Sequence, residues 1–256
     1  TRYSLQSRGL GDVYKRQTSP CPACGHVHRC RIVTEGAGYF ITGTDTGVGK
    51  SVVTLGLMQW LQDRGHRVAA MKPVASGCER SEHGLRNQDA LLLQQQASMA
   101  LSYEQVNPYA FEPAIAPHLA AAEAGSRIDP DVIAAGARAL EGIADRVCVE
   151  GIGGWLVPLN ERETVADMAA RLGLEVVLVV GIRLGCLNHA LLTARAIESS
   201  GLALAGWVAN RLPPVAEYAE ENIAALEARL AAPLLGVIPP LAEIDARRVA
   251  ACLALQ

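Results

Sequence analysis

From residue 39 onward, short runs of apolar and β-branched residues alternate with longer stretches rich in alanine and leucine. A parallel strand covered by helices on both faces is nearly continuously apolar, so the runs at 39–42, 67–71, 147–149, 176–180, 203–209 and 234–238 are read as strands. The stretches 88–99, 133–143, 165–172, 187–199 and 215–230 are read as helices. Strands alternating with helices predict an α/β fold: a mostly parallel sheet with helices on both faces, in a single domain. In open parallel sheets ligands bind beyond the carboxyl ends of the strands. That places Lys50, Lys72, Glu150, Asn210 and Pro239, which follow or end the apolar runs, where chemistry is to be sought.

Composition narrows the classes of function. At 256 residues, half of them hydrophobic, the chain can bury one sizeable core. A net charge of −3 with no basic stripe lacks the footprint of a nucleic-acid binder. No run of eighteen apolar residues and no apolar signal segment at the start is present, so no membrane partner is expected and a cytoplasmic location is. Seven cysteines, four of them scattered (Cys78, Cys148, Cys186, Cys252), do not suggest a disulfide framework. Residues 1–37 show neither helical nor strand periodicity and read as an extension outside the domain 38–256, disordered or not native. Within it Cys21, Cys24, His26, His28 and Cys30 include a pair at zinc-knuckle spacing. All five fall within ten residues, whereas a structural zinc module separates two ligand pairs.

The strongest motif is Gly43-Thr44-Asp45-Thr46-Gly47-Val48-Gly49-Lys50-Ser51, between the first strand and a helix. Glycines let backbone N–H groups converge on phosphate oxygens, and the helix N-terminus adds partial positive charge. Lys50 would reach the β- and γ-phosphates of ATP, and Ser51 would offer its hydroxyl to magnesium. The fold is therefore expected to be of the P-loop NTPase type. The loop is a variant, with five residues rather than four between Gly43 and Gly49.

Other strand ends add to it. Lys72, after its strand and before Pro73, projects toward the same edge, or is simply a solvated charge. Asp89 opens a helical stretch, as a metal ligand or as its N-cap. Glu150 stands where P-loop enzymes place the acid that positions magnesium. Ser51, Asp89 and Glu150 with ATP match magnesium's preference for carboxylates, a hydroxyl, phosphate oxygens and water. Gly151 to Gly154 allow close backbone approach or a tight turn, and Trp155 packs. Asn210 can present its amide to a purine edge with Pro239-Pro240 as a wall. Cys186, Asn188 and His189 follow Gly185 at a helix start, which could hold a carboxylate, His189 itself reading as packed or exposed.

From residue 39 to the C-terminus these motifs resemble the dethiobiotin synthetases, in order. The loop 42–51 is joined by Lys72-Pro73-Val74-Ala75-Ser76-Gly77, the segment from Gly84 through Asn87 to Asp89, and Val106-Asn107-Pro108-Tyr109. Val149 to Trp155, Leu184 to His189 and Gly206 to Asn210 complete the match. The resemblance implies a homodimeric ligase that uses ATP, magnesium and carbon dioxide to close the ureido ring on 7,8-diaminononanoate, through a carbamate and a carbamic–phosphoric anhydride. It assigns Lys50, Lys72 and Thr46 to catalysis, and Ser51, Asp89 and Glu150 to the metal. Ser76, Lys72 and Gly185, Cys186, Leu187 and Asn188 are assigned to the substrate, the last four from the neighbouring subunit. ATP would meet Gly47, Val48, Gly49, Lys50, Ser51 and Val52 of the loop, Asp89, and Glu150, Gly151, Ile152 and Gly153. Its base would meet Asn210, Arg211, Pro239, Pro240 and Leu241.

Departures are Ser51 for the family's usual threonine, Gly47 where many members carry a side chain, Arg211 where an acid is common, and a poor match after Glu243. Amidating enzymes of the same superfamily carry a glutaminase domain that a chain of this length does not accommodate. Switch ATPases of the partitioning and septum-placement type carry a lysine where Asp45 stands. Lys50→Ala and Lys72→Ala are each expected to lose turnover with the fold intact.

Overall fold

The structure is a computed structural model that describes residues 37–254. The extension read at 1–37, with the zinc candidates Cys21, Cys24, His26, His28 and Cys30, lies outside the described residues except for Ala37. In chain order the first elements are β1 (Gly38–Gly43), α1 (Lys50–Gln62), β2 (Val68–Met71), β3 (Val74–Ala75), β4 (Glu79–Ser81) and β5 (Gly84–Arg86). Next come α2 (Gln88–Gln96), α3 (Tyr103–Val106), β6 (Tyr109–Ala110), α4 (Pro117–Glu123) and α5 (Pro130–Glu141). The chain continues through β7 (Arg146–Gly154), α6 (Val165–Leu172), β8 (Glu175–Gly181), α7 (Cys186–Ser199) and β9 (Leu204–Asn210). It ends with α8 (Ala219–Glu227), β10 (Leu234–Ile238) and α9 (Ala246–Ala251).

Six strands form the central sheet in the order β10-β9-β8-β1-β7-β2, all parallel. Every carboxyl end therefore lies on one edge. The chain steps one way across the sheet from β1 to β2, and the other way from β2 through β7 and β8 to β10. With right-handed crossovers, that reversal puts α1 on one face and the helices from α5 to α8 on the other. Accordingly α1 packs with α2 and α9, α5 with α6, and α7 with α8. The sheet interior is apolar on both faces, with Phe40, Ile41, Val147, Val149, Val176, Leu178, Val180 and Trp207 all buried. Among the described residues no helix is long and apolar enough to cross a membrane.

The six strands read from the apolar runs are the six of the sheet, with two informative differences. The run at 147–149 continues to Gly154, so Glu150 lies within β7 and opposite Ile41 rather than at a strand tip. Gly151 and Gly153 have no β-branched side chain to announce a strand, and the ladder slips there, Gly43 pairing with Gly154. The run 215–230 is helical only over Ala219–Glu227; Val215 and Tyr218 at its start are exposed and only Ala216 there touches the core.

The C-terminal stretch forms α9 and rests directly on α1. A Cβ on Gly56 would stand 2.1 Å from Val249 Cγ1. Gly56→Leu is expected to push α9 off and cost about 1–3 kcal/mol of stability by overpacking, measured as an earlier thermal midpoint.

Candidate active site

The phosphate loop sits where β1 ends at the centre of the sheet, next to the reversal in strand order. Gly47 and Gly49 have φ of 73° and 90°, left-handed values that side chains with a Cβ adopt at a cost. α1 begins at Lys50 with no side-chain cap on its first turn, leaving N–H groups turned toward the loop's concavity. Lys50 Nζ donates to the carbonyls of Asp45 at 2.9 Å and Gly153 at 2.8 Å. Burial pulls this ammonium down to about 8, with Glu150 opposing. A bound polyanion would favour its charged form again. Thr46 is exposed at the loop's outer rim, its N–H on the Asp45 carboxylate at 2.7 Å, and Val52 is half-buried in the first turn of α1.

Beside the loop lies a charged cluster. Lys72 Nζ donates to Glu150 Oε1 at 2.5 Å and lies 3.4 Å from Asp89 Oδ2. Ser51 donates its hydroxyl to the same Glu150 oxygen at 2.9 Å. Lys72 and Glu150 are buried at 5% and 1% exposure, so Lys72 is no solvated charge. Burial lowers the Lys72 pKa, but Glu150 and Asp89 outweigh it and the net displacement is upward. Glu150 Oε2 is buried with no hydrogen-bond partner. Asp89 does not cap α2, because Asn87 does so through Ala90 N at 3.2 Å. Its carboxylate is left in the first turn, beside the Lys72 ammonium.

Among the described residues no group of three or more His, Cys, Asp or Glu is arranged to hold a metal. The donor set here is instead two carboxylates and a hydroxyl, one carboxylate oxygen unpartnered. That fits magnesium, which takes few protein ligands and completes its shell with phosphate oxygens and water.

The remaining candidates that follow β8, β9 and β10 lie along the same edge of the sheet. Ser76 follows β3, its hydroxyl buried and without a partner. Gly185 precedes α7 at φ 92°, with no side-chain cap on the helix; Cys186 is buried, Leu187 half-buried, and Asn188 and His189 are exposed. Asn210 is buried at the end of β9, and its Nδ2 donates to Val48 O at 2.9 Å. That amide donor thus holds the phosphate loop, leaving the side-chain carbonyl for other use. Arg211 bonds by its N–H to Ile238 O at 3.0 Å, which sets Pro239, Pro240 and Leu241 beside it at the end of β10. Gly151, Ile152 and Gly153 form the strand segment behind Lys50.

Two features escape the sequence reading. Arg183, after β8, pairs with Asp45 at 2.6 Å and ties the loop rim to the α7 turn; half exposed, the pair is worth about 0–1 kcal/mol. Tyr103 and Asn107 join the backbones that carry Asp89 and Lys72. Arg183 shows no pattern in a single sequence, whereas a tyrosine four residues before an asparagine, at helical spacing, was a usable signal.

Residues 37–248 match the family described as AAA domain. The chain is 55% identical over 219 residues to the ATP-dependent dethiobiotin synthetase BioD of Pseudomonas paraeruginosa (strain DSM 24068 / PA7), across 85% of this chain and 96% of that protein. It is 51% identical over 205 residues to the ATP-dependent dethiobiotin synthetase BioD 1 of Escherichia coli (strain K12), across 80% and 91%. Among solved structures it is similar to the septum site-determining protein MinD complexed with Mg-ADP from Pyrococcus horikoshii OT3. That match has a TM-score of 0.51 at 20% identity and covers 84% of this chain and 86% of that one, a likeness of fold alone. Identity above one half along nearly the whole of a relative's length decides between a shared architecture and a shared family, and this chain belongs to the ATP-dependent dethiobiotin synthetases.

Proposed function

We propose that the cluster of Lys72, Glu150, Asp89 and Ser51 beside the phosphate loop carries out ATP-dependent ureido ring closure on 7,8-diaminononanoate with carbon dioxide. The observation that carries the reading is the convergence of Lys72 and Ser51 on one Glu150 oxygen next to Lys50's loop. Phosphoryl transfer asks a protein chiefly for positioning and charge neutralisation. Lys50 and the α1 N-terminus would hold the triphosphate. Lys72 would hold the carboxylate of the substrate carbamate in line with the γ-phosphorus, with Thr46 at the rim and Ser76 on the diamine. The carbamate oxygen then takes the phosphoryl group as ADP leaves. The second amine attacks the carbamoyl carbon, phosphate departs, and the amine's proton is lost to solvent. Ser51, Asp89 and Glu150 would hold magnesium, which supplies charge neutralisation at the β- and γ-phosphates when bound.

The same reading has Gly47, Val48, Gly49 and Val52 around the phosphates, with Gly151 to Gly153 behind them. Asn210, Arg211 and Pro239 to Leu241 lie around the base. The chain acts as a cytoplasmic homodimer in which Gly185, Cys186, Leu187 and Asn188 of one subunit receive the substrate tail of the other. The wholly exposed Leu184 and the 57% exposed Leu192 supply apolar surface for such a contact.

Incubating the purified chain with diaminononanoate, bicarbonate, magnesium and ATP should yield dethiobiotin and phosphate in equal amounts. Phosphate released at the same rate without the diamine would instead favour a switch ATPase.

A further inference from the structure

We infer that Tyr103 and Asn107 are positioning residues that fix the distance between the Lys72 ammonium and the Asp89 carboxylate, and so shape the magnesium site; this rests on the proposed function. Lys72 lies one residue past the end of β2, the edge strand of the sheet, so its backbone groups find no neighbouring strand. Left unpaired in a buried place they would be costly. Val106 O accepts the Lys72 N–H at 2.8 Å, and Asn107 Nδ2 donates to the Lys72 carbonyl at 2.7 Å and to Tyr109 O at 3.2 Å. Asn107 Oδ1 in turn accepts the Tyr103 hydroxyl at 2.9 Å. The Tyr103 oxygen accepts the N–H of Asn87 at 2.7 Å, and Asn87 is the residue that caps α2 two positions before Asp89.

An unbroken line of hydrogen bonds thus runs from the main chain that carries one charge to the helix that carries the other. Tyr103 and Asn107 are 7% and 3% exposed, and the Arg86 guanidinium covers the tyrosine ring at 4.0 Å. An apolar pair would fill this volume, but it would let α2 drift relative to the Lys72 strand end. The 3.4 Å spacing between Lys72 and Asp89 is what such drift would alter first. Neither residue touches the reacting atoms. Their effect passes through Asp89 and Lys72, as outer partners of metal ligands commonly act, with losses of about 10- to 100-fold in metal affinity when removed.

The experiment is calorimetric titration of ADP over a series of magnesium concentrations, with turnover and thermal midpoint measured on the same full-length samples. Tyr103→Phe keeps the ring and removes both hydroxyl bonds. It should raise the magnesium concentration for half-maximal ADP binding about tenfold, and lower kcat more than it changes KM for the diamine. Ser102→Ala removes the capping box at the start of the same short helix without touching the hydroxyl line, and should leave the magnesium requirement unchanged. In an Asp89→Asn background Tyr103→Phe should add nothing, since coupled residues are non-additive. Should Tyr103→Phe not fold, Asn107→Asp decides: it keeps the acceptor for Tyr103, loses the bond to the Lys72 carbonyl, and carries the same expectation.

An unchanged magnesium requirement, an equal shift in Ser102→Ala, or additivity with Asp89→Asn overturns the positioning role while leaving the synthetase reading standing. A parent protein that forms no dethiobiotin and binds ADP without regard to magnesium overturns both.

Discussion

Lys72→Met should abolish dethiobiotin formation and also lower the unfolding free energy by about 3–5 kcal/mol, the range for breaking a buried ion pair by removing one partner. The substitution removes the directly bonded cation from Glu150, whose carboxylate is 1% exposed and keeps the Ser51 hydroxyl and the unbonded charge of Lys50. Asp89 adds little to the cost, because its side chain is 41% exposed and water can replace the ammonium. The double variant Lys72→Met with Glu150→Gln leaves no charge stranded and should recover most of the stability with none of the activity. Lys50→Ala should differ, since Lys50 bonds to two backbone carbonyls and its loss strands no carboxylate. Its turnover should vanish with a smaller change in stability. Urea unfolding of the four proteins beside their turnover checks this; a Lys72→Met midpoint equal to that of the parent would show that the pair contributes nothing to stability. An intact fold is therefore the firmer expectation for Lys50→Ala than for Lys72→Ala, for a reason visible only once burial is known.

That contrast shows what kind of information a single sequence held. Sheet strands were legible because burial on both faces leaves a continuous apolar run, and the phosphate loop because Gly49, left-handed and closely approached by Asn210, meets a backbone requirement that few other residues can meet. Lys72 was legible as a strand-end residue, since parallel topology alone gathers such ends on one edge, whereas Glu150, also read at a strand tip, lies four residues before the end of β7. Their direct bond was not legible, because it depends on β7 lying between β1 and β2, and strand order leaves no local trace. The choice between ligand and cap for Asp89 was undecidable from spacing, as Asn87 and Asp89 are both good capping residues. The small elements β3, β4, β5 and β6 escaped for another reason. They are two or three residues long, too short for periodicity to register, and their shape comes from contacts with one another and with the main sheet.

Gly49→Ala should weaken nucleotide binding far more than Gly47→Ala, although both glycines are left-handed. At Gly47 a Cβ would meet nothing within 4 Å, so the expected cost is the backbone strain alone, about 1–2 kcal/mol. At Gly49 it would stand 2.0 Å from Asn210 Nδ2, the atom that holds Val48 O at 2.9 Å. Asn210 must then leave a buried hydrogen bond, which adds about 1–3 kcal/mol to the same strain. The combined cost is about 2–5 kcal/mol, and because the loop lies at the rim it can relieve that cost by changing its phosphate-binding shape rather than by unfolding the sheet. The loss should therefore appear mainly in affinity: roughly thirtyfold to several thousandfold for Gly49→Ala, and about five- to thirtyfold for Gly47→Ala, at about 1.4 kcal/mol per factor of ten. Calorimetric titration with ADP and magnesium separates the two. Asn210→Ala in the Gly49→Ala background should restore part of the lost affinity by removing the obstructing amide, and an unchanged affinity in that double variant would count against the clash as the cause.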